Sequence, residues 1–264
     1  CALPISILAA VTPRTKLALL DHVTSQTGLV LPVARLVREL GARGVDTLVD
    51  GAHAPGMVPL NLRRLGAAYY TGNCHKWLCA PKGAAFLHVR ADRQDRIRPL
   101  VISHSGNSPR TDRSRFLIEF GWMGTSDPTA ALSVPRAIDY INSLLPGGWP
   151  EVMAHNRGLA LTARRRLCDA LNTPLPCPDE FIGALASIPI PDATSAKPSK
   201  NPLYLDALQD RLLAEFGIEV PVIPWPAPPK RLLRISAQLY NSLPQYEQLA
   251  TALQSALGTR GRAA

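Results

Sequence analysis

The first half of the chain alternates continuous apolar runs with apolar residues at helical spacing. Lys16 to Val23 (KLALLDHV) is an apolar run suited to a buried strand. Val33 to Arg43 sets Val33, Leu36, Val37 and Leu40 on one helical face. Val45 to Val49 (VDTLV) forms a second short buried strand ending at Asp50. Ala67 to Thr71 and Ala84 to Val89 (AAFLHV) read as further strands. Short strands alternating with helices predict an α/β layer architecture built on a mostly parallel sheet.

Near Ser143 the pattern changes. Trp149 to Leu171 reads as one long amphipathic helix, Leu203 to Phe216 and Gln245 to Leu257 as two more. Ala184 to Ile190 and Leu232 to Ser236 are strands in this reading. Pro191 to Pro202 is a loop by composition, and Val222 to Pro229 (VIPWPAPP) a stiff connector. The predicted organisation is a large domain over residues 1–142 and a smaller α+β domain over 143–264.

Composition narrows the class. Apolar residues make up 46% and charged residues 19% of 264, which excludes a disordered polyelectrolyte. The 25 prolines are about twice the usual share, and they cluster in the second region. No apolar run reaches the ~20 residues that span a bilayer, and the opening does not read as a secretory signal. Cys1 runs almost at once into regular elements. A start inside a larger protein accounts for that more simply than a processed lipoprotein cysteine.

The formal charge of +9 invites nucleic acid, but the basic residues are scattered. The densest run, Arg164-Arg165-Arg166, lies among Leu159, Leu161, Leu167 and Leu171 and reads as a solvated helix face. No nucleic-acid-binding motif appears. The five cysteines, Cys1, Cys74, Cys79, Cys168 and Cys177, include no C-x-x-C pair, so neither a disulfide framework nor a metal site is expected. Reduced thiols fit a cytoplasmic protein.

Candidate chemistry gathers in three segments: Asp50-Gly51-Ala52-His53-Ala54, Asn73-Cys74-His75-Lys76-Trp77, and Gly124-Thr125-Ser126-Asp127. Polar residues just past the carboxyl ends of strands line the ligand crevice of an α/β sheet. A buried carboxylate needs a cationic partner or strong donors. A lysine in apolar surroundings can become a nucleophilic amine suited to Schiff-base chemistry. Taken singly, a strand-end Asp is a common turn cap, and a lone His or Lys is commonly at the surface. The combination is what points to chemistry.

That combination resembles the class V aminotransferase family of fold-type I pyridoxal-phosphate enzymes, in its isopenicillin N epimerase-like and cysteine-desulfurase-like branch. The resemblance runs from about Val11 to about Leu257 and rests on DGAH, NCHKW, GTSD and RISAQLYN in the family's order. It implies pyridoxal 5'-phosphate as cofactor, with Lys76 forming the internal aldimine and shuttling the proton at the substrate's α-carbon. Asp50 would pair with the pyridine nitrogen, Ala52 would pack on the ring, and His53 would reach the phenolic oxygen. His75 and Asn73 would sit near the phosphate, although many relatives carry serine at the latter position. Ser25 falls where desulfurases often place a cofactor-binding asparagine. Thr125 would contact the phosphate of a neighbouring subunit, which implies a homodimer. Arg234 would clamp the substrate α-carboxylate, and His104 and Asn107 would line the substrate entrance.

Two departures from the family's pattern stand out. The stretch Gly217 to Arg231 contains no cysteine, which argues against persulfide-based desulfurase activity and leaves epimerase, aminotransferase or C–S lyase chemistry. The N-terminal part that supplies most of the family's phosphate site is also absent before Lys16, so the large domain is expected to be N-terminally incomplete. A non-catalytic remnant acting as an interaction module is the alternative. A kynureninase-like reading shares the Asp-x-Ala-His element, but His75 stands where that group usually has tyrosine. Neither nucleic acid nor membrane is an expected partner.

Overall fold

Three short strands pair in parallel and a fourth returns against them. β1 (Leu17–Asp21), β2 (Asp46–Asp50), β3 (Tyr69–Asn73) and β4 (Ala85–Val89) lie side by side in that order. β1 pairs with β2 from Leu17↔Asp46 to Asp21↔Asp50, and β2 with β3 up to Asp50↔Thr71. All three strands therefore end at one edge of the sheet. β4 is antiparallel to β3, with Asn73 opposite Ala85, so the mostly parallel sheet expected from the sequence is present. The computed structural model describes residues 2–193 and 206–258. Cys1, most of the predicted Pro191–Pro202 loop and the first residues of the predicted Leu203–Phe216 helix lie outside them.

The described residues form two compact units: residues 2–22, 32–55 and 59–140 make one, and 23–31, 56–58, 141–193 and 206–258 the other. In the first, α1 (Ala2–Ala9) precedes the sheet and α2 (Val33–Gly41) crosses from β1 to β2. α2 buries Val33, Leu36, Val37 and Leu40, the four residues that the sequence sets on one face. Leu36 and Leu40 are fully enclosed with Leu20 and Val45, each contributing roughly 1.5–3 kcal/mol. α3 (Leu62–Leu65) is capped by Asn61, whose side chain accepts from the Arg64 amide, and ends at Gly66 with φ 73°.

Farther along this unit lie α4 (Arg115–Gly121), α5 (Thr129–Leu132) and α6 (Val134–Asn142). The hydrophobic pattern predicts no element there. These helices are short and mostly exposed, and α4 buries only Ile118 and Glu119. α6 carries a short apolar stripe at Val134, Ala137 and Ile141, which the strand-and-helix reading passes over.

The second unit holds α7 (Gly148–Leu171), β5 (Leu185–Ile190), α8 (Ala207–Phe216), β6 (Val222–Pro224), β7 (Arg231–Ser236) and α9 (Leu243–Leu257). Its antiparallel sheet has the order β5-β7-β6. Ile188, Leu233 and Ile235 from the sheet pack with Ala160 and Leu167 from α7 and Leu253 from α9. The start of the predicted Val222–Pro229 connector is a strand, with Val222 opposite Leu233 and Pro224 opposite Arg231. Proline is tolerated there because β6 is an edge strand, where a missing amide breaks no second ladder.

The arginine run also differs from expectation. Arg165 and Arg166 are exposed, but the Arg164 side chain is fully buried. Its guanidinium donates to the Asp179 carboxylate and, at 3.0 Å, to the Cys177 carbonyl. Helical spacing placed Arg164 beside Leu167 and Cys168 on the packed face, and a carboxylate from the following loop made that position tenable. Removing this partner leaves a buried cation unpaired. Asp179→Ala is expected to destabilise the protein by about 3 kcal/mol, whereas Arg165→Ala, at the exposed side of the same carboxylate, should lose under about 1 kcal/mol. Denaturant titration of both variants checks this, and equal losses would refute it.

Candidate functional site

The common edge of the parallel strands gathers polar groups because each apolar run ends there. The ladder continues one residue beyond the strands: the His22 amide donates to the Asp50 carbonyl, and the Gly51 amide to the Thr71 carbonyl, both at 2.8 Å. A β-carbon on Gly51 would stand 2.1 Å from the Tyr70 hydroxyl oxygen, so only glycine fits. Tyr70 is fully buried and its hydroxyl lies 2.8 Å from His22 Nδ1. The Tyr70 ring meets His22 edge-on and stacks on Phe86, with centroids 6.2 Å apart. Burial first, and the Asp50 charge second, push the Tyr70 phenol up. Burial lowers His22 to about 4. At neutral pH both groups are uncharged.

Asp50 closes a tight turn, its Oδ1 accepting from the Ala52 amide at 2.9 Å. The ordinary capping role that a strand-end Asp can have is therefore present. Asp21 lies opposite Asp50 in register, and its carboxyl is raised by burial first and by the Asp50 charge second. Past the turn, His53 is buried, with Nε2 3.3 Å from Lys76 Nζ and Nδ1 3.3 Å from the Trp77 indole nitrogen.

Lys76 sits on the loop that joins β3 to β4. The Cys74 and His75 amides both donate to the Ala84 carbonyl, and the Ala80 amide donates back to the Cys74 carbonyl. Cys74, Ala80 and Ala84 anchor the loop as a small buried cluster with Phe86, Val134 and Ala137 packed on it. Cys79 takes a left-handed φ of 56° to make the bend, which strains a residue with a β-carbon by roughly 1–2 kcal/mol. His75 Nδ1 lies 3.0 Å from the Ala84 carbonyl oxygen. A carbonyl only accepts, so this nitrogen carries a proton.

The predicted residues thus separate. Asp50, Ala52, His53, Asn73, His75 and Lys76 occupy adjacent turns in the first unit, and His53 touches Lys76 directly. Thr125 is exposed in a bend of the same unit, where Asp127 accepts from the Thr129 amide and hydroxyl. His104 and Asn107 are exposed on one helical turn. That turn is held by Ser105, whose hydroxyl donates to the Trp122 carbonyl at 2.7 Å. His104 borders a 270 Å³ cleft with Arg110, Arg113 and Trp122.

Ser25 and Arg234 belong to the second unit and touch each other. Arg234 Nη1 donates to the Ser25 carbonyl and lies 3.3 Å from its hydroxyl. The Ser25 loop is fixed by the Ser187 hydroxyl donating to the Gln26 carbonyl at 2.8 Å, and by Thr24 Oγ1 accepting from the Leu29 amide at 2.8 Å. Arg234 is lowered by burial, and its buried Nε has no acceptor. Among the described residues no carboxylate forms an ion pair with it.

Sequence reasoning missed Asp21, His22 and Tyr70 as parts of the site, and gave Trp77, within the lysine segment, no role. A signal existed for the first pair. Asp21-His22 ends the LALL run as Asp50 ends TLV, and parallel neighbours that end alike share an edge. Nothing in the sequence marked Tyr70, since its contact with His22 spans 48 positions.

Comparison with known proteins places this geometry in context. The family model for aminotransferase class-V matches residues 4–190. The chain is 37% identical over 263 residues to isopenicillin N epimerase of Streptomyces clavuligerus, covering 95% of this chain and 63% of that protein. It is 32% identical over 251 residues to a probable chloroplastic L-cysteine desulfhydrase of Arabidopsis thaliana, covering 91% and 50%. Among solved structures, a C-DES variant with glycine covalently linked to its PLP cofactor superposes with a TM-score of 0.73 at 22% identity, over 95% of this chain and 63% of that one. The fold is thus that of the fold-type I PLP enzymes. The chain spans less than two thirds of the length of each of these relatives. Among the described residues, no helix is long and apolar enough to cross a membrane, and no His, Cys, Asp and Glu cluster could hold a metal ion.

The buried His22 gives the site a pH signature. It titrates near 6.5 when unfolded and near 4 in the fold. Between those values the unfolded chain holds the extra proton, so stability falls as pH drops through that window, by up to about 3 kcal/mol. Denaturation curves from pH 7 to 4 should show that His22→Gln loses less stability than the parent over this range. An identical slope in both would count against the burial argument.

Proposed function

The chain belongs to the aminotransferase class-V family, and on that premise we propose that it carries the lysine-bearing centre of a pyridoxal-phosphate enzyme acting on an amino acid. The observation that carries the reading is the Lys76 amine held 3.3 Å from the buried His53 imidazole. The donor set fits the cofactor: a primary amine on the loop after β3, a carboxylate at the end of β2 and a small side chain, Ala52, two residues beyond it. Bound there, pyridoxal phosphate supplies a ring that draws off negative charge developing at the substrate's α-carbon.

The chain's own groups do the rest. Lys76 would hold the cofactor through its Nζ and would move the proton at the α-carbon. Asp50, held by the Ala52 amide, would keep the pyridine nitrogen protonated, while Ala52 would leave room for the ring. His53 would direct Nε2 to the phenolic oxygen. Asn73, His75 and, across a homodimer, Thr125 would contribute donors to the phosphate. Arg234 would take the substrate's α-carboxylate. A half-buried guanidinium that pairs with no carboxylate among the described residues supports that role. Ser25 lies against Arg234, and His104 and Asn107 border the entrance.

The reaction class is chemistry at the α-carbon: epimerisation, transamination or C–S bond cleavage. Likeness to an epimerase and to a desulfhydrase supports the first and last. Persulfide desulfuration is disfavoured, because Gly217 to Arg231 offers no cysteine. A non-catalytic interaction module would have no use for an amine held against a buried histidine, which favours the enzyme.

Incubation of the full-length protein with pyridoxal phosphate and borohydride should leave one cofactor mass on the Lys76 peptide, and Lys76→Ala should abolish it. An unlabelled parent protein would refute the reading. Arg234→Lys, which keeps the charge but loses the fork, should raise KM for an accepted amino acid roughly 10–100-fold, with a smaller change in kcat. An unaltered KM would remove Arg234 from the carboxylate role.

A further inference from the structure

Trp77, which follows Lys76 in sequence, points its indole nitrogen at His53 Nδ1 at 3.3 Å. An indole nitrogen donates and cannot accept. His53 Nδ1 therefore presents a lone pair, and the imidazole proton lies on Nε2. Both rings are buried, Trp77 at 7% and His53 at 9% exposure, so little water competes for Nδ1. Nε2 in turn stands 3.3 Å from Lys76 Nζ. An ammonium there would set donor against donor, and the contact is a hydrogen bond only when Nε2–H meets the lone pair of a neutral amine.

We propose that Trp77 is a positioning residue that locks His53 in its Nε2–H tautomer, so that His53 donates to the Lys76 amine and favours its neutral, nucleophilic form. The neighbouring histidine shows that this is a choice of the fold. His75 Nδ1 faces the Ala84 carbonyl and is protonated, so the two histidines beside Lys76 carry their Nδ1 atoms in opposite states. The fixed proton also has a second use. When the amine lone pair is consumed in binding a carbonyl, the same Nε2–H is already directed at an acceptor in that place. The meaning of the arrangement for catalysis rests on the lysine reading above, but the tautomer does not.

The test uses Trp77→Phe, which keeps an aromatic ring and removes the N–H, in full-length protein. In cofactor-free protein labelled with ¹⁵N-imidazole histidine, His53 should show an unprotonated Nδ1 and a protonated Nε2 in the parent, and a tautomer mixture in the variant. Borohydride-trapped capture of pyridoxal phosphate at Lys76 should slow by about ten-fold in the variant while its circular dichroism stays unchanged. If Trp77→Phe does not fold, site-specific benzothienylalanine at 77, an isostere with sulfur in place of N–H, carries the same measurements. A protonated Nδ1 in the parent, or a tautomer and capture rate unmoved by loss of the N–H, overturns the proposal. If the parent captures no cofactor at all, the lysine reading fails, and the NMR result still decides the tautomer.

Discussion

Parallel pairing of β1, β2 and β3 is the constraint on which the rest of the first unit depends. Because the strands run the same way, their carboxyl ends meet at one edge, and residues far apart in sequence become neighbours in register: Asp21 beside Asp50, and Asp50 beside Thr71. An antiparallel arrangement would have sent alternate ends to opposite edges. Close approach tightens this edge. Gly51 leaves its β-carbon position to the Tyr70 ring, and Tyr70 in turn reaches His22. A side chain at residue 51 would displace the tyrosine and loosen the end of β1.

Around that edge burial and hydrogen-bond direction both act on protonation. His22 and Tyr70 are kept neutral by exclusion of water. His53 and His75 are assigned their protons by what faces Nδ1, a donor in one case and a carbonyl in the other.

The second unit shows two ways of burying arginine. Arg164 is enclosed and matched by Asp179 and a carbonyl, which makes it structural. Each leaves its buried Nε without an acceptor, but Arg234 is half-buried, and among the described residues it is met by Ser25 and pairs with no carboxylate. A cation held this way has unspent capacity for an anion. Local spacing reads the Arg164 run as a solvated helix face and so misses its burial, whereas the RISAQLYN resemblance singles out Arg234.

What the sequence determined by itself was the order and type of most elements and the identity of the chemical groups. Strand and helix periods are local, so KLALLDHV, VDTLV and the Val33–Leu40 face could be read directly, and DGAH, NCHKW and GTSD marked the family. Only tertiary structure decided which groups meet. Tyr70 on His22, Trp77 on His53 and Asp179 on Arg164 depend on loop paths and on packing across many residues, which no local period encodes. The short helices from Arg115 to Asn142 escape that reading too, because at four to nine residues each they are too short for a helical period to stand out. Sequence named the lysine, but its partners, and with them its protonation state, are products of the fold: a proton's place depends on distances of a few tenths of an ångström, which only a packed interior fixes.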